Sequence, residues 1–320
     1  MAKKVLVTGS CGFIYSNFII YALQNTDWDL VSVDKLTYAG SRLNISHNKD
    51  IQMKRHKFYL ADVCDYHTIE KIFDIEKPDI VIHSAAESNV DRSIDSSHEF
   101  IKTNVIGTHS MLEAAKNVHT PELFVNSSTD EVFGQILEGS FDESSMLDPR
   151  NPYSASKASA DLLGQSYYET HGLPVVTTRC CNVFGPRQDI TKLVPKSIVN
   201  VLTGKKIPIY GKGNQVRQWI YTRDVYNAVK CIIEKGTAGE VYNISSDQER
   251  TNIEIIDMMC KELGVGKEVL EFVDDRKGHD FRYAVDASKL KALGWKSEYE
   301  LEGAIAHTVN WYRANKWGWK

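Results

Sequence analysis

Six short apolar runs recur through the first 180 residues at the pace of a repeating strand–helix unit: Val5-Leu6-Val7, residues 30–33, Phe58-Tyr59-Leu60, Ile80-Val81-Ile82, Leu123-Phe124-Val125 and Val175-Val176. None alternates apolar with polar residues, as a strand with one wet face would, so each suits a strand covered on both sides. Residues 16–24, 68–75, 103–115 and 154–168 between them read as helices, the last opening after Pro152. This rhythm predicts an α/β fold built on a doubly wound parallel sheet. Beyond residue 180 the texture changes, with Gly185-Pro186, Gly204, Pro208, Gly211, Gly213, Gly236 and Gly239 cutting the chain into shorter elements. We therefore expect a nucleotide-binding domain over residues 1–180 and a smaller C-terminal α/β substrate domain over 181–320. Val241-Tyr242-Asn243-Ile244 has the composition of a strand that returns to the first sheet.

Composition narrows the class. With 320 residues, 42% of them hydrophobic, the chain has ample material for such a core without disulfides. The balance of 38 basic and 42 acidic residues argues against a general nucleic-acid or anionic-membrane binder. No run of 18 apolar residues offers a membrane span, and Val5-Leu6-Val7 is too short for a signal-peptide core. The six cysteines include no CxxC pair and no Cys/His grouping with zinc spacing, so no metal is expected. Together these features predict a cytoplasmic protein with reduced thiols.

Thr8-Gly9-Ser10-Cys11-Gly12-Phe13-Ile14 follows the first strand and opens a helix, the context that gives a glycine-rich loop its meaning. Gly9 can make the tight turn, and Gly12 can let the backbone approach a pyrophosphate at the helix N-terminus. Asp34 ends the second strand, 22 residues after Gly12, where a carboxylate accepts the adenosine ribose hydroxyls and favours NAD over NADP. Neighbouring Lys35 weakens that exclusion of a 2'-phosphate. Tyr15 stands where a third glycine is expected. Its bulk should push the helix outward or turn the ring to solvent or cofactor, and it puts cofactor affinity in question.

Tyr153 and Lys157 lie four residues apart, on one face of the predicted helix. A fixed ammonium favours the phenolate, which makes Tyr153 a partner for hydride transfer; a surface Tyr and Lys would share the same spacing. The companions Asn126-Ser127-Ser128-Thr129-Asp130-Glu131 follow a strand, at the edge where open α/β sheets place ligands. Thr129 can bond the hydroxyl that Tyr153 addresses. Asp130 and Glu131 can supply an acid and a base if their environments separate their pKa values. A turn or N-cap cluster is the structural alternative.

The loop from Thr8 to Ile14, the Tyr153/Lys157 pair and Asn182-Val183-Phe184-Gly185-Pro186 resemble the extended short-chain dehydrogenase/reductase family with its Rossmann sheet. Residues 33–40 (VDKLTYAG), 85–93 (AAESNVDRS), Thr129-Asp130-Glu131 and 208–213 (PIYGKG) look like nucleotide-sugar 4,6-dehydratases. The resemblance spans nearly the whole chain, and Asp130-Glu131 is its most specific element, because related sugar epimerases and decarboxylases lack this pair.

The resemblance implies a hydro-lyase that holds NAD and converts a nucleoside-diphosphate glucose to its 4-keto-6-deoxy form, a step of deoxysugar biosynthesis. Tyr153 would take the C4 hydroxyl proton during oxidation, with Lys157 lowering its pKa and Thr129 orienting the sugar. Glu131 would remove the C5 proton and Asp130 protonate the departing C6 hydroxyl, before hydride returns to C6. For NAD the pattern adds Phe13, Ile14, Lys35, Leu36, Thr37, Asp62, Val63, Ala85, Ala86, Glu87, Thr103 and Asn182 to Gly9, Gly12, Asp34, Tyr153 and Lys157. For the sugar nucleotide it adds Ser88, Asn182, Lys192, Leu193, Pro208, Ile209, Tyr210, Arg217, Asn252, Arg276 and His279 to Thr129. Arg217 and His279 also suit a diphosphate by their donors.

Lys277 replaces the usual proline of Asp-Arg-Pro-Gly-His, and Phe133 the commoner Tyr. Thr177-Thr178-Arg179 and Val216-Arg217 are similar to plant UDP-glucose dehydratases. dTDP-glucose is the favoured substrate and UDP-glucose the second, since one methyl group discriminates by only about 1–3 kcal/mol. The competing readings are a UDP-hexose 4-epimerase, which needs no acid/base pair, and a catalytically silent dinucleotide-binding scaffold, motivated by Tyr15. Helices around 103–115 and 154–168 resemble those that build a four-helix homodimer interface in this family.

Overall fold

The computed structural model describes residues 2–47, 53–275 and 280–319. Seven parallel strands form its main sheet: β1 (Lys4–Thr8), β2 (Asp29–Asp34), β3 (His56–Leu60), β4 (Ile80–His83), β5 (Leu123–Thr129), β6 (Val175–Cys180) and, arriving from the second half of the chain, the strand Val241–Ile244. Their order in space is β3-β2-β1-β4-β5-β6 followed by Val241–Ile244, so the winding reverses between β1 and β4. Val5 and Val7 of β1 face one core and Leu6 the other; Ile80 and Ile82 oppose Val81, and Leu123 and Val125 oppose Phe124 in the same way. Two buried faces explain why these runs carry no polar alternation.

The helices Phe13–Asn25 and Thr222–Lys235 pack on the first face, with Phe18 set against Tyr226. Tyr66–Glu76 and Gly107–Asn117 cover the other face. Pro152–His171 starts where Asn151 Oδ1 accepts the Ser154 N–H at 2.9 Å, with Pro152 in the first turn, and stops at Gly172 in the left-handed conformation. The predicted helix 103–115 is instead a wide-turned segment, Ile101–Ile106, running into Gly107–Asn117. Within it Asn104 accepts the Glu87 N–H at 2.8 Å and donates to the Glu87 carbonyl at 3.0 Å and to Ser156 Oγ at 2.8 Å. That side chain ties together three segments that meet at the cavity described below.

The remaining strands are short: β7 (Asn182–Phe184), β8 (Ile207–Tyr210), β9 (Val216–Tyr221), then Glu249–Thr251 and Leu270–Val273. β9 lies between β7 and Glu249–Thr251, while β8 pairs in parallel with Leu270–Val273. With the helices Leu193–Leu202, Asn252–Leu263 and Leu301–Ala314 they enclose a third, separate core that includes Ile209, Trp219 and Tyr312.

Candidate active site

A cavity of about 350 Å³ opens along the C-terminal ends of the parallel strands, where the winding reverses. This is the crevice in which open α/β sheets bind ligands. At one end Gly9 turns the chain with φ +64°, and a Cβ there would sit 2.8 Å from Ala85 Cα and 2.9 Å from the Ser84 carbonyl. Only glycine fits. A Cβ on Gly12 would meet nothing but the Gly9 carbonyl, at 3.2 Å, and the helix begins at the next residue, Phe13. Its first-turn N–H groups therefore face the cavity side without intrahelical partners, as an anionic diphosphate requires. Thr8 Oγ1 accepts the Ser84 and Ala85 N–H groups, both at 3.1 Å, which fixes the wall opposite the loop.

Beyond the loop lies Asp34, 8% exposed, accepting the Cys11 N–H at 2.8 Å and the Leu36 N–H at 2.7 Å. Burial raises its pKa, and the two backbone bonds oppose that rise. Lys35 pairs with Asp62 at 2.7 Å. Phe13, Ile14, Lys35, Thr37, Asp62, Val63, Ala85, Ala86, Glu87, Thr103 and Asn182 all line the cavity with Gly9, Gly12 and Asp34; Leu36 does not.

The other end gathers Thr129, Asp130, Glu131, Tyr153 and Lys157. β5 stops at Thr129, so the acidic pair sits on the turn Asp130–Phe133 just beyond the sheet. Asp130 is 3% exposed and its Oδ2 has no hydrogen-bond partner among the described residues. Burial, reinforced by the Glu131 charge and only partly offset by Arg217, pushes its pKa up to about 7. Glu131 is less buried and accepts from Ser154 Oγ at 3.4 Å. Two neighbouring carboxyls thus differ in environment, as an acid and a base must. Thr129 is within hydrogen-bond reach of the Tyr153 phenol. Burial and then Glu131 hold that phenol above its ordinary pKa, outweighing the lowering that the Thr129 hydrogen bond gives. Lys157, lowered by burial, donates to the Ser127 carbonyl at 2.6 Å.

Of the residues predicted for the sugar nucleotide, Ser88, Thr129, Asn182 and Lys192 line the same cavity, and Lys192 donates to the Ser88 carbonyl at 2.9 Å. Leu193, Pro208, Ile209, Tyr210, Arg217 and Asn252 do not line it. Ile209 is buried in the third core. Arg217 is 4% exposed and spends its guanidinium on the carbonyls of Val216, Asp280 and Phe281, over the ring of Tyr283. Asn252 opens a helix beside Gln215. Arg276 and His279, with Lys277, lie outside the described residues.

Sequence reasoning left out Ser127, Cys180, Cys181, Gln188 and Asp189, which also line the cavity. Ser127 and the two cysteines lie just beyond apolar runs read as strands, at the C-terminal ends of β5 and β6, which is the signal available for them. Gln188 and Asp189 follow Gly185-Pro186 without a local pattern to mark them. Tyr15 does not face solvent: it is 6% exposed, set in the core against Phe18, and lines the cavity beside the glycine loop.

The chain is similar to known proteins over nearly its whole length. The chain is 46% identical to the low-salt glycan biosynthesis protein Agl12 of Haloferax volcanii, covering 96% of this chain and 98% of that one. It is 42% identical to dTDP-glucose 4,6-dehydratase 1 of Escherichia coli K12, over 98% of this chain and 94% of the relative. Among solved structures, the dTDP-glucose 4,6-dehydratase DesIV of Streptomyces venezuelae, determined with NAD bound, superposes with a TM-score of 0.94 at 39% identity, covering 99% of both chains. Since residues 6–308 also match the GDP-mannose 4,6 dehydratase family, the chain belongs to that family of extended short-chain dehydrogenases/reductases.

Proposed function

We propose that this protein is an NAD-dependent nucleotide-sugar 4,6-dehydratase whose substrate is dTDP-glucose. The observation that carries the reading is the Asp130–Glu131 pair beside Tyr153: one carboxyl is sealed and titrates near 7, its neighbour is more open. A 4-epimerase has no use for such a pair, and its fully assembled setting speaks against a silent scaffold.

NAD fits the residues present. The glycine loop leaves room that a Cβ at Gly9 would fill, the helix start offers N–H groups to the diphosphate, and Asp34 waits for the ribose. Bound there, NAD supplies the hydride acceptor for C4 and the hydride source for C6. The protein does the rest. Tyr153, oriented with Thr129, takes the C4 hydroxyl proton as a phenolate, the form that the Lys157 ammonium favours, and becomes the neutral phenol. The 4-ketone acidifies C5, whose proton passes to Glu131. Asp130, still protonated near neutrality, gives its proton to the leaving C6 hydroxyl and water departs. Ser88, Asn182 and Lys192 border the sugar-nucleotide side of the same cavity. In this reading residues 1–180 with the returning strand hold NAD, and 181–320 complete the sugar-nucleotide site.

The exposed Ile101, Ile106 and Leu162 lie on the two helices that would pair across a homodimer as a four-helix bundle. Six free cysteines suit a reducing cytoplasm, and among the described residues no helix is long and apolar enough to cross a membrane.

Proton NMR of the protein with NAD and either dTDP-glucose or UDP-glucose tests the reading. A new 6-methyl doublet, faster with dTDP-glucose, is expected. A galactose product would establish an epimerase, and no change with either sugar would refute the dehydratase.

A further inference from the structure

Tyr15 occupies the position at which a dinucleotide loop calls for a third glycine, a residue whose missing side chain lets helix and strand pack closely. The helix still opens at Phe13, and the Tyr15 ring, tilted against Phe18 with centroids 5.7 Å apart, is turned into the core. Its hydroxyl crosses to β5 and shares a hydrogen bond with Ser127 Oγ. The carbonyl of the same Ser127 receives the Lys157 ammonium at 2.6 Å.

Ser127 needs such an anchor. β5 pairs with β6 on one side there, Ser127 opposite Thr178, but its ladder with β4 has already ended at His83 and Asn126. Tyr15 reaches the residue just past the point where β4 stops supporting it. Burial holds the phenol protonated, well above its ordinary pKa, so the contact is a neutral one that brings no charge to compete for the ammonium. Lys157 is itself 5% exposed, with a long stem whose head is placed by the Ser127 carbonyl.

We propose that Tyr15 is a positioning residue for Lys157: through Ser127 its hydroxyl fixes the peptide whose carbonyl holds the ammonium at the reacting end of the cavity. The inference rests on the role given to Lys157 under the proposed function, and it turns a departure from the glycine pattern into part of the reacting end.

The test compares Tyr15→Phe, which keeps the ring, with Ser127→Ala and the double variant, all in the full chain. Each single change is expected to lower kcat about tenfold, the loss of one hydrogen bond's worth of placement, with NAD affinity and KM altered less than about twofold. The limb of the kcat–pH profile that reports Tyr153 should move to higher pH, and the double variant should be no worse than either single one. Wild-type kcat and profile in Tyr15→Phe, or additive losses, would overturn the proposal. Acetylation of Lys157, followed by peptide mass spectrometry, reads the clamp without turnover. The rate should rise several-fold in both single variants, and an unchanged rate would overturn the proposal even if the protein forms no 6-methyl product.

Discussion

Asp161 and Arg179 form an ion pair at 3.0 Å with side chains only 3% and 7% exposed, one helical turn beyond Lys157. Arg179 also lies over the Phe133 ring at 4.7 Å and donates to the Glu143 carbonyl at 3.3 Å. Attraction between two such charges offsets their desolvation only while both are present. Arg179→Met should therefore cost about 3 kcal/mol in urea unfolding, because it removes the direct partner of a buried carboxylate and leaves it with the Lys157 charge and the Ser128 and Asn126 side chains. Adding Asp161→Leu should recover much of that loss. The helix Pro152–His171, which carries Tyr153 and Lys157, is joined to β6 by this pair, so the single variant should also lose activity.

The raised pKa of Asp130 predicts an alkaline limb. A general acid must be protonated, so the elimination step should fall as pH rises through about 7. Asp130→Asn should slow product formation by about 10²- to 10⁴-fold and remove that limb, while C4 oxidation, seen as NAD reduction in a single turnover, persists. The stability sign is the reverse of a salt-bridged carboxylate. Because the folded pKa lies above the unfolded one, the contribution is fully present below the ordinary carboxylate range and is lost as pH rises from about 4 to about 7. The Asn variant should flatten that part of the melting-temperature profile.

The sheet was legible because burial on both faces leaves apolar runs at its central strands, and every one of the six runs became a strand within two residues of its start, although β3 at the sheet edge is only partly buried, with Leu60 exposed. The adenosine end of the site was legible for a related reason: Gly9 and Asp34 act through backbone geometry and position along a strand, which sequence spacing encodes. After residue 180 the apolar strand Val241–Ile244 was legible and does return to the main sheet, whereas β7, β8 and β9, three to six residues long and set in small separate sheets, were not. The same limit applies to side-chain direction. Nothing local to Tyr15 says that its ring turns inward to Ser127, 112 residues away.

Gly9 and Gly12 should respond differently to alanine. At Gly9 the new Cβ would strike Ala85 and Ser84 backbone at φ +64°, so Gly9→Ala should destabilise the fold by about 1–3 kcal/mol as well as abolish NAD binding. Gly12 has φ −73°, which alanine adopts freely. Gly12→Ala should leave the melting temperature nearly unchanged yet weaken NAD strongly, since its methyl group enters the space kept for the pyrophosphate. Calorimetric melting alongside NAD titration separates the two.

Asp34 combines a charge and two backbone acceptor bonds, and two substitutions can divide them. Its oxygens hold the Cys11 and Leu36 N–H groups, and Leu36 sits at φ +58°, a conformation that needs such support. Asp34→Ala should lose stability and NAD affinity together. Asp34→Asn keeps an acceptor oxygen but removes the charge that repels a 2'-phosphate, so its melting temperature should fall less while the preference for NAD over NADP shrinks. The Lys35 ammonium is engaged by Asp62 at 2.7 Å, which is expected to keep it from offsetting the Asp34 charge. Asp62→Asn, which releases Lys35 and leaves Asp34 in place, should therefore raise NADP affinity without a matching gain for NAD, measured by titration of both cofactors. If NADP binding stays unchanged in Asp62→Asn but improves in Asp34→Asn, the selectivity resides in Asp34 alone.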